Sequence, residues 1–327
     1  MSKAPIAEIA ILDYRHCQRA ALHGLTDLFC EASRLSRELG GKDAATLRVT
    51  HWRAGPEAQT VEVSFDTHEG VPSRPSVVIA PPTLAGPPAL ETSRSFAAWL
   101  AERHNEGVTL CSVCGGTFLL AETGLLRDRK ATTHWGYAPV LKKLHPEIHV
   151  DGDKLMIDDG DIITTGGIMS WTDLGLKLVG RFLGPTVMLA TARFFLIDTA
   201  GREQRFYSTF TPKLHHGDEA VLKVQHWLQK DGLRQATLAD MAAHAGLEER
   251  TFIRRFRKAT DFNPTEYCQR LRVGKAREML ELTNRTVDQV AFDVGYEDAS
   301  SFRKVFQKVV GLRPADYRKR FAVRPAA

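Results

Sequence analysis

The sequence predicts two domains of different class, an α/β layered domain over residues 1–197 and an all-α domain over residues 218–327. Two observations lead to this prediction. In the first part, apolar strand-like segments alternate with amphipathic helical segments, which indicates a largely parallel sheet covered by helices. In the second part a helical pattern occurs twice, about 50 residues apart, as expected of one supersecondary unit used twice. A chain of 327 residues is long enough for two hydrophobic cores.

Short apolar runs, one of them alternating as an edge strand would, predict the strands of the first domain. These runs cover residues 8–14, 46–52, 61–66 (the alternating run), 76–82 and 108–113, with two short strands expected within 149–158 and 161–167. Amphipathic periodicity predicts the helices. They comprise a helix with Leu25, Leu28, Phe29, Ala32 and Leu35 on one face, then 95–107, 115–126, 138–144, 171–183 and 185–197. The last is apolar almost all round, which predicts a buried helix, with a dimer interface as one candidate position.

Residues 198–217 lose this periodicity and are predicted to link the two domains. The paired His215 and His216 in this segment are interpreted as solvated residues. No nearby Cys or His completes a metal-ligand set, so we expect neither a metal site nor a cofactor.

Composition limits the classes of protein to consider. Hydrophobic residues make up 43% and charged residues 25% of the chain, which argues against disorder. No apolar run approaches the roughly 20 residues of a membrane span, and the N-terminus lacks the apolar core of a signal peptide. Five scattered cysteines do not form a secreted disulfide framework. These features predict a cytoplasmic protein that does not associate with membranes.

The basic charge is confined to the second domain. Residues 218–327 hold 21 Lys and Arg against 15 Asp and Glu, whereas the remainder holds 23 against 24. A net charge of +6 in one domain is what a surface facing nucleic-acid phosphates requires. A solvated basic face would give the same balance.

Residues 287–309 have the pattern of a helix-turn-helix. One-face apolar spacing runs up to Gly295, which can take the positive φ that a helix end needs. A second helix follows from near Asp298, with Phe302 and Phe306 on its buried stripe and cations off it. Residues 238–259 repeat the layout. Phe256, Pro264 and Tyr267 lie 50 positions before Phe306, Pro314 and Tyr317.

With this register, residues 218–321 resemble the AraC family of transcription regulators. The resemblance implies a double-stranded DNA operator as ligand, RNA polymerase as a partner, and activation as the commoner mode. It places base-reading side chains on the second helix of each motif: Arg250, Thr251 and Arg254 in the first copy, and Ala299, Ser300, Arg303 and Lys304 in the second. Arg255, Arg257 and Lys258 are assigned to phosphate or solvent.

Cys114 follows a predicted strand and precedes a predicted helix, as the nucleophile does in a nucleophile elbow. Gly115 and Gly116 would allow the tight turn, and the helix N-terminus would favour a thiolate. Cys111 completes a C-x-x-C pattern with Cys114, but it lies inside the strand and is interpreted as a small core residue.

Around this elbow, and weakly over residues 6–196, the sequence resembles the ThiJ/PfpI branch of the class I glutamine amidotransferase-like proteins, which implies a flavodoxin-like α/β fold. This domain in front of an AraC-type domain resembles the GlxA-like regulators, which sense small metabolites. The resemblance implies an effector pocket, dimerisation through the N-terminal domain, and an amino-acid-like metabolite or a quaternary amine as effector. The candidate pocket residues are Cys114, Gly115, Gly116, His134 and Trp135.

The same residues argue against catalysis. Peptidase-like members of the superfamily carry His at the position of Gly115, and Ala21 stands where enzymatic relatives place an acid, with Asp27 and Glu31 as nearby carboxylates. His134 is the remaining candidate base, with a backbone-bonded strand-end histidine as the other interpretation. We therefore expect a binding pocket without catalytic residues. A cysteine-dependent hydrolase or hydratase with a DNA-binding tail, and a thiol redox sensor, are the alternatives.

Overall fold

The computed structural model describes residues 4–41, 43–55, 60–199, 201–234 and 236–323. The chain divides into two compact units, Met1–Gln204 and Arg205–Ala327. The predicted domain limits at residues 1 and 327, and residue 200 of the predicted linker, lie outside the described residues.

The first unit contains a seven-stranded sheet, in agreement with the predicted α/β class. Its strands are β1 (Ala7–Leu12), β2 (Leu47–Ala54), β3 (Val61–Asp66), β4 (Val77–Ala80), β5 (Thr109–Val113), β8 (Met156–Asp158) and β9 (Ile162–Thr165), and β6 (Lys130–Ala131) pairs with β7 (His149–Val150) in a second sheet. The order is β3-β2-β1-β4-β5-β9-β8, with five parallel strands between antiparallel edges. The alternating run is an edge strand, as predicted.

Helices cover this sheet. They are α1 (Arg19–Gly40), α2 (Leu90–Asn105), α3 (Thr117–Ala121), α4 (Ala138–Leu144), α5 (Trp171–Leu183) and α6 (Pro185–Phe194), and 3-10 turns occur at Cys114–Gly116 and Gln204–Phe206. Helix α1 packs against α5 and α6, and α2 packs against α3. The central strands read as continuous apolar runs because their side chains are buried on both faces.

Three predicted helices of this unit differ from the structure. The helix predicted over 95–107 begins earlier, at Leu90, and ends at Asn105. The helix predicted over 115–126 ends at Ala121. There the Thr123 hydroxyl donates to the Leu120 carbonyl and accepts the Leu125 N–H, and Gly124 takes a φ of 76°. These local hydrogen bonds replace the next helical turn.

The prediction that residues 185–197 form a buried helix is also wrong within this chain. Helix α6 ends at Phe194 and buries Val187, Thr191 and Ala192 only. Leu189, Phe194 and Leu196 are 42%, 58% and 92% exposed, because α6 packs mainly against α1 and α5 and these residues point away from that contact. This leaves an apolar surface on α6 and the residues after it.

The second unit is all helical, as predicted. It comprises α7 (Glu219–Trp227), extended by a π-helical turn (Leu228–Gly232), then α8 (Leu238–Ala245), α9 (Glu249–Thr260), α10 (Pro264–Leu282), α11 (Val287–Asp293), α12 (Ala299–Val310) and α13 (Pro314–Phe321). Capping boxes at Thr237 and Thr286 begin α8 and α11. Gly246 and Gly295 follow these helices with φ values of 66° and 91°.

This unit has two separate hydrophobic cores. Phe252, Phe256 and Tyr267 lie in the core of the first helix-turn-helix, and Phe306 and Tyr317 lie in the core of the second. In the first, the rings of Phe256 and Tyr267 meet edge to face at 5.1 Å, and the rings of Phe306 and Tyr317 meet at 5.5 Å in the second. Equivalent residues of the sequence repeat therefore make equivalent contacts.

Residues of the predicted linker contribute to both units. The Gln204 side chain is buried in the first unit, and Phe206 is buried and Phe210 packs in the second. His216 is hydrogen-bonded, since its Nδ1 accepts the Asp218 N–H and its Nε2 lies 2.8 Å from Gln225 Oε1.

Within the described ranges, no cluster of His, Cys, Asp and Glu suitable for a metal ion occurs. No helix in those ranges has the length and apolarity needed to span a bilayer.

Candidate nucleic-acid interface and Cys114 site

Helix α9 buries one stripe and exposes a cationic face. Phe252 and Phe256 are fully buried, which fixes the rotation of the helix. The predicted contact residues Arg250, Arg254, Arg257 and Lys258 are exposed, and Thr251 is half-buried. With helical spacing, Arg250 and Arg254 lie one turn apart on the same face. The structure thus presents these side chains together on one helix.

Helix α12 presents the equivalent face of the second motif. Ser300, Arg303 and Lys304 are exposed, and Ala299 at the helix start is half-buried. The Arg303 guanidinium donates to the Asp288 carboxylate of α11, so this cation has a partner within the motif. Asp298 caps the helix by accepting backbone N–H groups at its start.

The 50-residue offset identifies two further residues of this face. It equates Ser301 with Thr251 and Gln307 with Arg257. Both Ser301 and Gln307 are exposed. The offset was visible in the sequence, and applying it position by position would have added these two side chains to the candidate interface.

Arg255 serves the packing of the unit. Its guanidinium donates to both carboxylate oxygens of Asp218, at 2.9 and 2.7 Å, and Asp218 also caps α7. The hydrogen bonds from Arg255 lower the pKa of the Asp218 carboxyl. Arg255, which was assigned to phosphate or solvent, thus pairs with Asp218 and joins α9 to α7, with 39% of its side chain exposed.

The arrangement of α9 and α12 leads to a prediction about salt. Arg257→Ala or Lys258→Ala should weaken binding to all DNA sequences alike and reduce the slope of log K against log salt by about one unit, because one phosphate contact is lost. Fluorescence anisotropy over a salt series measures this slope. Lys142→Ala removes the same charge from an exposed position in the first unit and serves as the control. Loss of discrimination at a single base pair, with an unchanged slope, would contradict the assignment.

At the end of β5 the chain turns sharply at Cys114. Cys114 has a φ of 54°, an unusual value for a residue other than glycine. A Cβ atom at Gly116 would lie 2.2 Å from the Ala80 carbonyl oxygen, and one at Gly115 would lie 2.6 Å from Thr83 Oγ1. Only glycine fits Gly116 beside the end of β4, so the strained turn depends on it.

The Cys114 thiol is fully buried and protonated at neutral pH. Burial raises its pKa to about 12, although the backbone N–H groups of Gly115 and His134 lower it in part. The expectation that the following helix favours a thiolate is therefore wrong. Helix α3 has only five residues, and the cost of burying a charge outweighs its dipole.

His134 forms an aromatic wall with Trp135 and Tyr137, of which Tyr137 lies near Cys114. Its Nδ1 accepts the Gly136 N–H at 3.1 Å, and its ring centroid lies 5.2 Å from that of Trp135 and 5.1 Å from that of Tyr137. Burial lowers the pKa of the imidazole. The structure thus agrees with a histidine bonded to backbone. Tyr137 was not singled out in the sequence, although it lies only three positions after His134.

Tyr14 is a further buried side chain near the turn. Tyr14 donates its hydroxyl to the Pro81 carbonyl, and burial raises its pKa, with Cys17 and Cys114 as nearby groups. Ala21 is fully buried, so the position predicted for an acid is apolar. The Asp27 side chain is exposed and Glu31 pairs with Arg34 on α1.

Cys111 is fully buried in the core, which raises the pKa of its thiol. Gln18 is 7% exposed, and its Oε1 has no hydrogen-bond partner among the described residues.

Comparisons with known proteins give a family match in each of the two units. Residues 55–181 match the DJ-1/PfpI family, and residues 241–320 match a helix-turn-helix domain family. The HTH-type transcriptional regulator CdhR of Pseudomonas aeruginosa is 27% identical over 73% of this chain and 68% of its own length. The regulator GlxA of Rhizobium meliloti is 24% identical over 65% of this chain and 66% of its own length. The chain thus spans about two thirds of each relative.

A crystal structure of an AraC family transcriptional regulator from Pseudomonas putida aligns with 58% of this chain and 99% of its own, with 14% identity and a TM-score of 0.46. The two family matches and the named relatives define a DNA-binding transcriptional regulator of AraC type. The chain thus resembles the GlxA-like regulators, as predicted, with a DJ-1/PfpI match in front of a helix-turn-helix match.

Proposed function

We propose that this regulator binds a small-molecule effector beside Cys114 and activates transcription in response. The observation that carries the proposal is the strained turn at Cys114, which buries a neutral thiol near the His134 backbone N–H and Tyr137. The rings of His134, Trp135 and Tyr137 are half-buried and form an aromatic wall. Backbone strain at a non-glycine residue is retained where a site needs it. In a DNA-binding regulator, such a site is best explained as the place where an effector binds.

The chemistry of the turn supports binding rather than turnover. A cysteine nucleophile needs a thiolate and a base within hydrogen-bond reach, whereas the pKa of Cys114 is raised to about 12. Besides burial, the groups that shift this pKa are the backbone N–H groups of Gly115 and His134. The Nδ1 of His134 is already occupied by the Gly136 N–H. These features support a site without catalytic residues.

The aromatic wall supports a cationic effector. The π faces of aromatic rings attract ammonium groups, and quaternary ammonium ligands are recognised in this way. Both classes implied by the family resemblance, an amino-acid-like metabolite and a quaternary amine, carry such a group. Trp135 provides the largest π face of the three rings.

The remaining parts of the proposal concern assembly. We expect an operator containing two adjacent major-groove sites, which α9 and α12 enter, and contact with RNA polymerase in the cytoplasm. The apolar surface of Leu189, Phe194 and Leu196 supports a homodimer formed through the first unit. Leu196 combines 92% exposure with a φ of 54°, which is costly for an unsupported apolar residue.

Ligand-induced thermal stabilisation tests the effector site. A panel of amino acids and quaternary amines should contain a compound that raises the Tm of wild type, since a ligand that binds only the folded state stabilises it. Trp135→Ala should abolish this shift, whereas Trp99→Ala, which removes another half-buried indole of the same unit, should keep it. An equal loss in both variants would contradict the assignment of Trp135.

Cys114→Ser separates binding from turnover. It should retain DNA affinity and alter the ligand-induced shift, because the side chain changes only beside the effector. Steady turnover of an amide, isonitrile or aldehyde by wild type, abolished by this substitution, would instead establish the cysteine-dependent enzyme as the function.

Base recognition should depend more on α9 than on α12. Arg254→Ala should cost about 1–3 kcal/mol of binding and relax preference at one operator position, as loss of a base-specific Arg does. Lys304→Ala, at the equivalent position 50 residues on, should cost less and act as loss of a phosphate contact. The neighbouring Arg303 is engaged by Asp288 and the adjacent Ser300 is short.

Competition binding of both variants against operators substituted at each position measures this difference. The operator is first selected from a random DNA pool by wild type. A base-specific loss for Lys304→Ala, together with a uniform loss for Arg254→Ala, would reverse the order of the two helices.

A further inference from the structure

Gln204, the last residue of the first unit, is held by hydrogen bonds on both ends of its amide. Its Nε2 donates to the Thr132 hydroxyl at 3.1 Å and to the carbonyls of Thr133 and Lys154 at 2.8 and 2.9 Å. Its Oε1 accepts the backbone N–H of Trp135 at 3.0 Å, and Gln204 is 2% exposed. We call these four partners the Gln204 socket. The fit is tight, because a Cβ atom at Gly166 would lie 1.9 Å from Nε2.

The socket is also a wall of the Cys114 site. The Thr133 hydroxyl donates to the Cys114 carbonyl at 2.7 Å. The backbone N–H of His134, between the socket residues Thr133 and Trp135, lies close enough to the Cys114 thiol to lower its pKa. A ligand that moves the aromatic wall must therefore also move groups that hold Gln204.

Beyond Gln204, residues 205–213 are fastened to both helix-turn-helix motifs. We call them the strap. The Arg277 guanidinium, which is buried, donates to the carbonyls of Phe206 and Ser208 and also to the Tyr317 hydroxyl. Tyr317 is a core residue of the second motif.

The other end of the strap is held in the same manner by the first motif. Gln225 Nε2 donates to the Lys213 carbonyl at 3.1 Å and to the Tyr267 hydroxyl at 2.9 Å. Tyr267 is the repeat equivalent of Tyr317. Phe210 packs edge-on against Tyr267, with ring centroids 5.1 Å apart. The strap is thus connected to a tyrosine of each motif. Arg277 links its first residues to Tyr317, and Gln225 links Lys213 to Tyr267.

We propose that Gln204 and the strap are the coupling element through which the Cys114 site and the two DNA-reading motifs influence each other. This inference rests on the proposed effector site and deepens it. Only Arg205 separates Gln204 from the first strap carbonyl bonded by Arg277. One residue spans at most about 3.6 Å, so the connection between Gln204 and the Phe206 carbonyl is short. A displacement of the socket is passed to the strap or breaks the hydrogen bonds of Gln204.

In this arrangement Gln204 positions the strap relative to the socket. The coupling between the Cys114 site and the DNA-reading motifs acts in both directions. A ligand at one site changes affinity at the other by the same factor in both directions. DNA bound to the second unit therefore alters the stability of the socket, which allows a test that needs no effector. The probe is a DNA fragment that full-length wild type enriches from a random-sequence pool.

Hydrogen–deuterium exchange of the full chain, with and without this fragment, measures the coupling. In wild type, DNA should change the exchange rate of the peptide over residues 130–137 by at least about fivefold, the lower end of typical allosteric coupling. Gln204→Met, which keeps the length of the side chain without its hydrogen bonds, should reduce the change to less than about twofold.

An insertion variant separates coupling from stability. Gly-Ser-Gly placed between Arg205 and Phe206 keeps the contacts of the socket and the strap and only lengthens the chain between them. This variant should fold and bind DNA, but DNA should no longer change the exchange rate at residues 130–137. Glu203→Gln is the matched control. It breaks the surface ion pair with Lys154, next to Gln204, and should respond as wild type does.

Each outcome decides the question. Loss of the response in the insertion variant, with a normal response in Glu203→Gln, supports the coupling element. A wild-type protein that binds the fragment without a change at 130–137, or an insertion variant that keeps the change, would overturn the inference alone. A wild-type protein that enriches no DNA sequence would overturn the proposed function and the inference with it.

Discussion

Phe256→Ala is expected to lower the free energy of unfolding of the first helix-turn-helix by about 3–5 kcal/mol, the usual cost of removing a fully buried phenyl ring. Phe256 is 0% exposed and contacts Phe252 and Tyr267 with ring centroids 5.2 and 5.1 Å away. Its loss leaves a cavity beneath the face of α9 that carries Arg250 and Arg254. Sequence-specific DNA binding should fall with the stability of that helix.

Phe306→Ala is the matched variant in the second motif. Phe306 is equally buried and belongs to the separate core of α11 and α12. Urea-dependent hydrogen exchange, followed by peptide, should show that Phe256→Ala lowers protection in α8 and α9, and Phe306→Ala in α11 and α12. Equal loss in all four helices from either substitution would show that the two cores unfold as one.

Gly116→Ala should destabilise the first unit by about 3 kcal/mol, the upper end of what overpacking costs. The new Cβ would lie 2.2 Å from the Ala80 carbonyl oxygen and 2.8 Å from that of Pro81. Both obstacles are backbone atoms at the end of β4, which cannot rotate away as a side chain can. The Cys114 turn would therefore be displaced, and ligand-induced stabilisation should be lost with it.

Gly167→Ala is the control for this substitution. Its added Cβ would meet Leu155 Cδ1 at 3.8 Å, an ordinary van der Waals contact, so a change of less than about 0.5 kcal/mol is expected. Thermal unfolding of the full-length protein compares the two variants. Similar Tm values for both would mean that the β4 end yields to the added methyl group.

Features that repeat or alternate along the chain were predictable from the sequence. The register of Phe256 with Phe306 and of Tyr267 with Tyr317, and the turns at Gly246 and Gly295, follow from local pattern and are present in the structure. The edge position of β3 follows in the same way from its alternating residues. In each case the neighbouring residues in sequence decide the conformation.

Properties that depend on distant residues were not predictable. The raised pKa of Cys114 results from burial by surrounding elements, which the strand-turn-helix pattern does not reveal. Arg255 is held by Asp218, 37 positions earlier, and Gln204 is held by Thr132, 72 positions earlier. The sequence pattern therefore predicted no partner for Arg255 and no structural role for Gln204.

The division of α10 between two cores has a consequence for how this regulator can change over generations. Tyr267 and Cys268, in its first half, complete the first core, whereas Val273, Ala276 and Leu280 complete the second. Each DNA-reading face is thus supported by its own set of buried side chains. Substitutions that alter one half of the operator can accumulate without disturbing the reading of the other half. A duplicated motif of this kind lets binding preference drift one half-site at a time while the ancestral target remains partly recognised.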